Sequence, residues 1–183
     1  MSVATEFNEK GLDWAIADNL KLLRKPEPND GLFWNGEGEV TGTLWGGCVE
    51  SLIVQATTQK YLPKIADLEN TILILETSEE IPAPWVVEYL LTGFGERGWF
   101  DKFRAVLVGR PKAWEFSKPN DIPTRNAYRA EQRKVILDTI RLYHPTIPVV
   151  QNLDFGHTDP QVILPLGQPV RVSTTEQKIW LRY

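Results

Sequence analysis

The chain has 183 residues, close to one domain at roughly 150 residues each, and its 42% hydrophobic and 24% charged side chains are a globular balance that excludes disorder. A net charge of −4 and a pI near 5.3 argue against a general nucleic-acid binder. No apolar run approaches the roughly 18 residues of a membrane helix, no signal-peptide pattern opens the chain, and one cysteine, Cys48, with two histidines argues against disulfides and a His/Cys zinc site.

Leu12, Ala15, Ile16, Leu20 and Leu23 recur at helical spacing, so a helix is predicted over residues 7–23, with Asn8 as its N-cap. The Pro- and Gly-bearing residues 25–31 end it. Two short strands are expected within residues 31–44, turned at Gly36-Glu37-Gly38. After the Trp45-Gly46-Gly47 break, Val49, Leu52, Ile53 and Ala56 mark a helical face. Residues 71–75 are a continuous apolar run, the mark of a strand covered on both faces, with Glu76 at its C-terminal end. A helix over residues 85–91 should stop near Gly93-Phe94-Gly95, and residues 105–108 form a second buried strand closed by Gly109-Arg110-Pro111. The longest helix is predicted over residues 127–142, with Tyr128, Val135, Ile136, Thr139, Ile140 and Tyr143 on its apolar side and Arg129, Arg133 and Lys134 on a solvated face. His144 at its end complements the helix dipole. A third buried strand, residues 147–150, runs into residues 153–158, and residues 162–181 read as strands broken at Gly167 and at 173–177. Helices alternating with buried strands predict parallel pairing in the middle of the chain, and the strand-rich ends predict an antiparallel addition. The fold class expected is one α/β domain with a mixed, mainly parallel sheet.

Glu76 and His157 each lie just beyond an apolar strand, where open α/β sheets bind ligands. A carboxylate that accepts the imidazole Nδ1 proton fixes the tautomer and steadies the imidazolium of acyl transfer, so the two fit the orienter and base of a hydrolytic triad. They also fit a plainer account, Glu76 capping a turn and His157 a hydrogen-bonded loop residue, which the residues taken alone favour. No serine sits in a Gly-x-Ser-x-Gly elbow. Cys48, behind two glycines at a helix start, could replace it in a Cys48/His157/Glu76 hydrolase, the helix dipole lowering its pKa. The usual fate of a lone cysteine is instead that of a small buried apolar residue. Phe33 and Trp34 could stack on a planar ligand, although most of the seven tryptophans are expected in the core. The Gly93-x-Gly95-x-x-Gly98 spacing follows a helix rather than a strand and is not read as a dinucleotide fingerprint.

Gly42-Thr43-Leu44-Trp45-Gly46-Gly47-Cys48-Val49-Glu50, Ile72-Leu73-Ile74-Leu75-Glu76-Thr77-Ser78-Glu79, Phe155-Gly156-His157-Thr158-Asp159-Pro160 and Leu164-Pro165-Leu166-Gly167 follow one another in this order. Together they resemble the C-terminal half of the serine LD-carboxypeptidase family, over residues 31–172. That family includes muramoyltetrapeptide carboxypeptidases and microcin C self-immunity proteins. The resemblance implies a swivelling β/β/α-type domain, with Glu76 and His157 as triad acid and base. It implies a separate N-terminal domain, absent here, that bears the serine and the oxyanion hole, with residues 1–7 as the remnant of the linker to it. It also implies a cytoplasmic homodimer without metal or organic cofactor, not bound to membrane or nucleic acid. The substrate would be a murein tetrapeptide losing its terminal D-alanine, or a peptidyl- or aminoacyl-nucleotide. Phe33, Trp34, Gly46, Gly47 and Thr158 are the candidate substrate contacts. Cys48 stands where muramoyl-type members often have Asn, which points toward the microcin-immunity branch. A binding module of the same fold without catalysis is the alternative reading.

Overall fold

Residues 3–183 are described by a computed structural model, and Met1 and Ser2 of the expected linker remnant lie outside the described residues. The elements in chain order are β1 (Glu6–Phe7), β2 (Glu27–Pro28), β3 (Phe33–Asn35), β4 (Glu39–Cys48), α1 (Val49–Thr58), β5 (Thr71–Glu76), α2 (Pro84–Glu96), β6 (Phe103–Gly109), α3 (Ile122–Tyr143), β7 (Val149–Leu153), β8 (Pro169–Ser173) and β9 (Lys178–Leu181). β1 and β2 pair as a small antiparallel ribbon; the rest form a seven-stranded sheet in the order β3-β7-β6-β5-β4-β8-β9. β4, β5, β6 and β7 run parallel, as the alternating pattern predicts, and β3, β8 and β9 add antiparallel.

The apolar run of β5 shows how the layers arise. Successive strand residues point to opposite faces, so Leu73 and Leu75 enter one core while Ile72 and Ile74 enter another. The first core lies beneath α1, α2 and α3 and includes Leu52, Leu91, Phe94, Ile136 and Ile140. Crossovers of one hand between successive neighbouring strands place all three helices on that face. The second core is covered by the sheet's own end, where Val170, Val172 and Ile179 of β8 and β9 pack with Ile72, Ile74 and Leu107. The result is the mixed β/β/α arrangement expected.

Four expectations need correction. Residues 7–23 form no long helix, only a 3-10 turn at Ala17–Lys21, and Asn8 pairs with Asp159 instead of capping. The apolar stripe finds nothing to cover it: Leu20 and Leu23 are 64% and 94% exposed, and a helix of this length needs a buried face to be stable. α2 continues past Gly93 and Gly95, because Phe94 is buried and Gly95 lies against the Tyr143 ring of α3, where a methyl group would collide. The glycine there serves helix approach rather than termination. α3 begins at Ile122, where Asp121 accepts a hydrogen bond from the Thr124 N–H and Pro occupies the first turn. Finally, Arg129 is not on a solvated face: with Arg125 it is buried against Glu9, and Arg133 lies over the Phe33 ring at 4.2 Å.

Smaller adjustments follow the same logic. β7 sits two to three residues later than predicted, since Asn152 and Leu153 remain in the buried strand. The His144 ring accepts a hydrogen bond from the Ile147 N–H at 3.0 Å, which closes the turn into β7. Trp45 and Trp99 pack with Phe94 and Phe103 in the helical core, as expected of core tryptophans, whereas Trp14 and Trp85 are exposed. Among the described residues no helix is long and apolar enough to cross a membrane.

Candidate active site

The C-terminal ends of the parallel strands bring the site together. Glu76 is the last residue of β5, and beside it β6 ends in Gly109. The loop after β7 folds back over this edge, held by Arg110: its Nη2 donates to Asp154 Oδ1 at 2.5 Å with both side chains buried, and its Nη1 donates to Thr158 Oγ1 at 3.2 Å. Close approach of that loop depends on missing side chains. A Cβ on Gly109 would lie 2.5 Å from the Phe155 carbonyl oxygen, and one on Gly156 would lie 2.9 Å from Glu76 Oε2. Gly156 also has φ +102, a conformation that side-chain-bearing residues avoid. With that space open, His157 Nδ1 stands 2.7 Å from Glu76 Oε2, 81 positions apart in the chain.

An ionised carboxylate only accepts, so with Glu76 ionised Nδ1 donates to it. Glu76 is largely covered, its side chain 12% exposed, while His157 stands at the surface at 37%. Nε2 faces a second carboxylate, Glu79 Oε2, at 3.0 Å. Behind the loop, Glu50 of α1 accepts hydrogen bonds from the Ser78 hydroxyl at 2.6 Å and the Cys48 thiol at 3.1 Å. Burial works against it, yet the hydrogen bonds from Ser78 and Cys48 hold the Glu50 carboxyl below its usual value. Glu50 thereby ties the start of α1 to the loop that follows Glu76.

Cys48 lies half-buried at the N-cap of α1, in register with Glu76. The helix-dipole argument for an activated thiol fails here. Burial, the hydrogen bond to Glu50 and the charge of Glu76 together push the thiol up to about 12, outweighing the Ser51 and Glu50 backbone N–H groups that favour the thiolate. A raised pKa keeps the thiol protonated at every pH below it. Alkylation of Cys48 by iodoacetamide at pH 8 is therefore expected to run about 100-fold or more slower than that of free cysteine, with a rate that still climbs above pH 10. Rapid alkylation at pH 8, followed by mass spectrometry, would contradict this.

The remaining candidates are dispersed. Gly46 and Gly47 sit at the end of β4 beside Ile74 and Leu75, and the backbone of Ile74 passes so close that any side chain at Gly46 would strike its carbonyl. Thr158 is buried and engaged with Arg110, so it holds the loop. Phe33 and Trp34 are not brought to the dyad. They lie on the edge strand β3, with β7 and β6 between it and β5, about 14 Å away at the usual strand spacing. Phe33 lies under Arg133 and Trp34 packs into the second core. Arg110, Asp154, Gly109, Glu50 and Glu79 escape the sequence reading, although Gly109-Arg110 at the mouth of a buried strand carries the positional signal that marks Glu76. Among the described residues no group of three His, Cys, Asp or Glu side chains could hold a metal ion.

Comparison with known proteins places the chain in a family. The sequence profile of the LD-carboxypeptidase C-terminal domain matches residues 41–172. A Treponema pallidum protein named provisionally as a carboxypeptidase is 30% identical over 142 residues, 78% of this chain and 37% of its own length. The microcin C7 self-immunity protein MccF of Escherichia coli is 25% identical over 176 residues, 95% of this chain and 45% of its own. The chain thus spans less than half the length of the curated relatives it matches. Among solved structures, a MccF-like protein from Streptococcus pneumoniae in complex with AMP superposes with a TM-score of 0.82 at 27% identity, covering all of this chain and 52% of that one. The match over residues 41–172, from β4 through the His157 loop to β8, shows that the chain belongs to the LD-carboxypeptidase C-terminal domain family.

Proposed function

We propose that this chain is the acid-and-base part of a serine hydrolase of amide bonds, with the nucleophilic serine supplied from a separate domain of the complete protein. The observation that carries the reading is the 2.7 Å contact between His157 Nδ1 and Glu76 Oε2 at an exposed sheet edge. In the reaction Nε2 takes the serine proton as the hydroxyl attacks the scissile carbonyl, and returns it to the leaving amine as the tetrahedral intermediate collapses. Water then repeats the cycle on the acyl-enzyme. Glu76 holds the ring and balances the imidazolium, while the oxyanion donors come from the serine-bearing domain. No serine of this chain is needed; Ser78, next to the site, spends its hydroxyl on Glu50.

The substrate we assign is an aminoacyl- or peptidyl-nucleotide amide, the class favoured by the AMP complex of the Streptococcus pneumoniae relative. A murein tetrapeptide that loses its terminal D-alanine is the second candidate, favoured by the carboxypeptidase relatives. A cytoplasmic homodimer completes the reading. The test compares the complete protein with this chain alone on both substrates, following release of amino acid or D-alanine by chromatography. Turnover is expected only for the complete protein, and the faster substrate identifies the class. Turnover by this chain alone, abolished by Cys48→Ala, would establish the thiol hydrolase instead; binding of either substrate without turnover would leave a non-catalytic module.

A further inference from the structure

The contact between Glu79 and His157 has no place in the catalytic cycle just described. His157 Nε2 must accept a proton from the nucleophile, yet here it faces Glu79 Oε2 at 3.0 Å while Nδ1 faces Glu76 Oε2 at 2.7 Å. Two ionised carboxylates can only accept hydrogen bonds, so the imidazole that satisfies both carries a proton on each nitrogen. Such an imidazolium has no lone pair for a serine proton. We infer that Glu79 is a latch on the base: it occupies the working nitrogen of His157 and holds the ring idle until the nucleophile-bearing domain displaces it.

The surroundings fit a latch rather than a fixed support. Glu76 is largely covered and ends a strand; the Glu79 side chain is 53% exposed and lies on the loop between β5 and α2. One residue before it, Ser78 is clamped by Glu50 through both its hydroxyl and its backbone N–H. The loop is thus anchored beside Glu79, while the Glu79 carboxylate makes no other hydrogen bond or ion pair among the described residues. The other ionisable groups around this site are Glu76 on Nδ1, Glu50 and the protonated Cys48 thiol behind the loop, and Asp159 of the His157 loop, which pairs with Arg24. Only Glu79 reaches Nε2 among these.

This inference rests on the proposed role of His157, and the test separates the two. In the complete protein Glu79→Gln removes the charge and keeps the size. It is expected to raise kcat/KM about 2- to 5-fold, the range of an exposed ion pair, with the gain in kcat and KM unchanged, because the working nitrogen is no longer occupied by a carboxylate. Glu79→Ala should act with the same sign. An unchanged kcat in both variants, or a loss of activity with the fold intact, would overturn the latch. His157→Ala measured alongside decides the underlying reading: if it is inactive while both Glu79 variants match the parent, only the latch has failed, and if it is active, the role of His157 has failed.

Discussion

Replacing His157 with Ala in the complete protein is expected to lower kcat by about 10⁴-fold or more, and Glu76→Gln by about 10⁴-fold. The first change removes the only imidazole at the edge of the sheet. The second acts through the tautomer. An amide at position 76 can turn an N–H toward Nδ1, which places the ring proton on Nε2 and removes the lone pair that the proposed proton transfer needs. The two losses are not additive, since each disables the same proton transfer; the double variant should be no worse than His157→Ala alone. Neither side chain holds up the fold. His157 is exposed, and Gln matches Glu in volume, so the thermal midpoint should move little while the rate collapses. Activity above a tenth of the parent in either variant, with substrate saturating, would remove that residue from the role given to it.

How much of this arrangement is legible in the sequence depends on the range of the forces involved. β5 and β6 announce themselves in unbroken apolar runs, because a strand covered on both faces has no polar side to interrupt it. The positions of Glu76 and His157 follow from the same signal: both stand just past such a strand, and parallel strands bring their carboxyl ends to one edge. Residues 7–23 mislead for the converse reason. Spacing alone suggests a helix there, but helical stability comes from burying the stripe, and Leu20 and Leu23 stay in solvent. The arginines of α3 mislead in the other direction, since a charge is ordinarily solvated and its partner, Glu9, lies 116 and 120 positions away. Glu79 is invisible for a subtler reason. Its significance is a direction, toward Nε2, that only the loop geometry confers.

That long-range cluster carries the second large effect. Glu9 is fully buried, and its Oε1 accepts from Arg125 Nη1 at 2.5 Å and from Arg129 Nη2, while its Oε2 accepts from the Ala113 N–H at 2.7 Å. Arg125 also meets Glu27 at 2.5 Å. Phe7 lies under the Arg129 and Arg110 guanidinium groups at 5.0 and 4.5 Å. One carboxylate therefore ties the N-terminal segment to α3 and to the loop after β6. Glu9→Ala leaves Arg129 buried with no carboxylate, Arg125 with only Glu27, and a backbone N–H without an acceptor. Breaking a buried pair by removing one partner costs about 3–5 kcal/mol, a large part of the roughly 5–15 kcal/mol that holds a domain folded. Urea unfolding of Glu9→Ala should show that loss as a lower midpoint. Removing Arg129 together with Glu9 should cost less than the two single losses summed, because Arg129 is then no longer left without its carboxylate, although Arg125 and the Ala113 N–H still lose Glu9. In a cycle of Glu9→Leu with Arg129→Leu, the double variant should be more stable than the sum of the single losses allows. A Glu9→Ala variant within 1 kcal/mol of the parent would mean that water reaches this cluster and that the N-terminal segment is held by its apolar contacts instead.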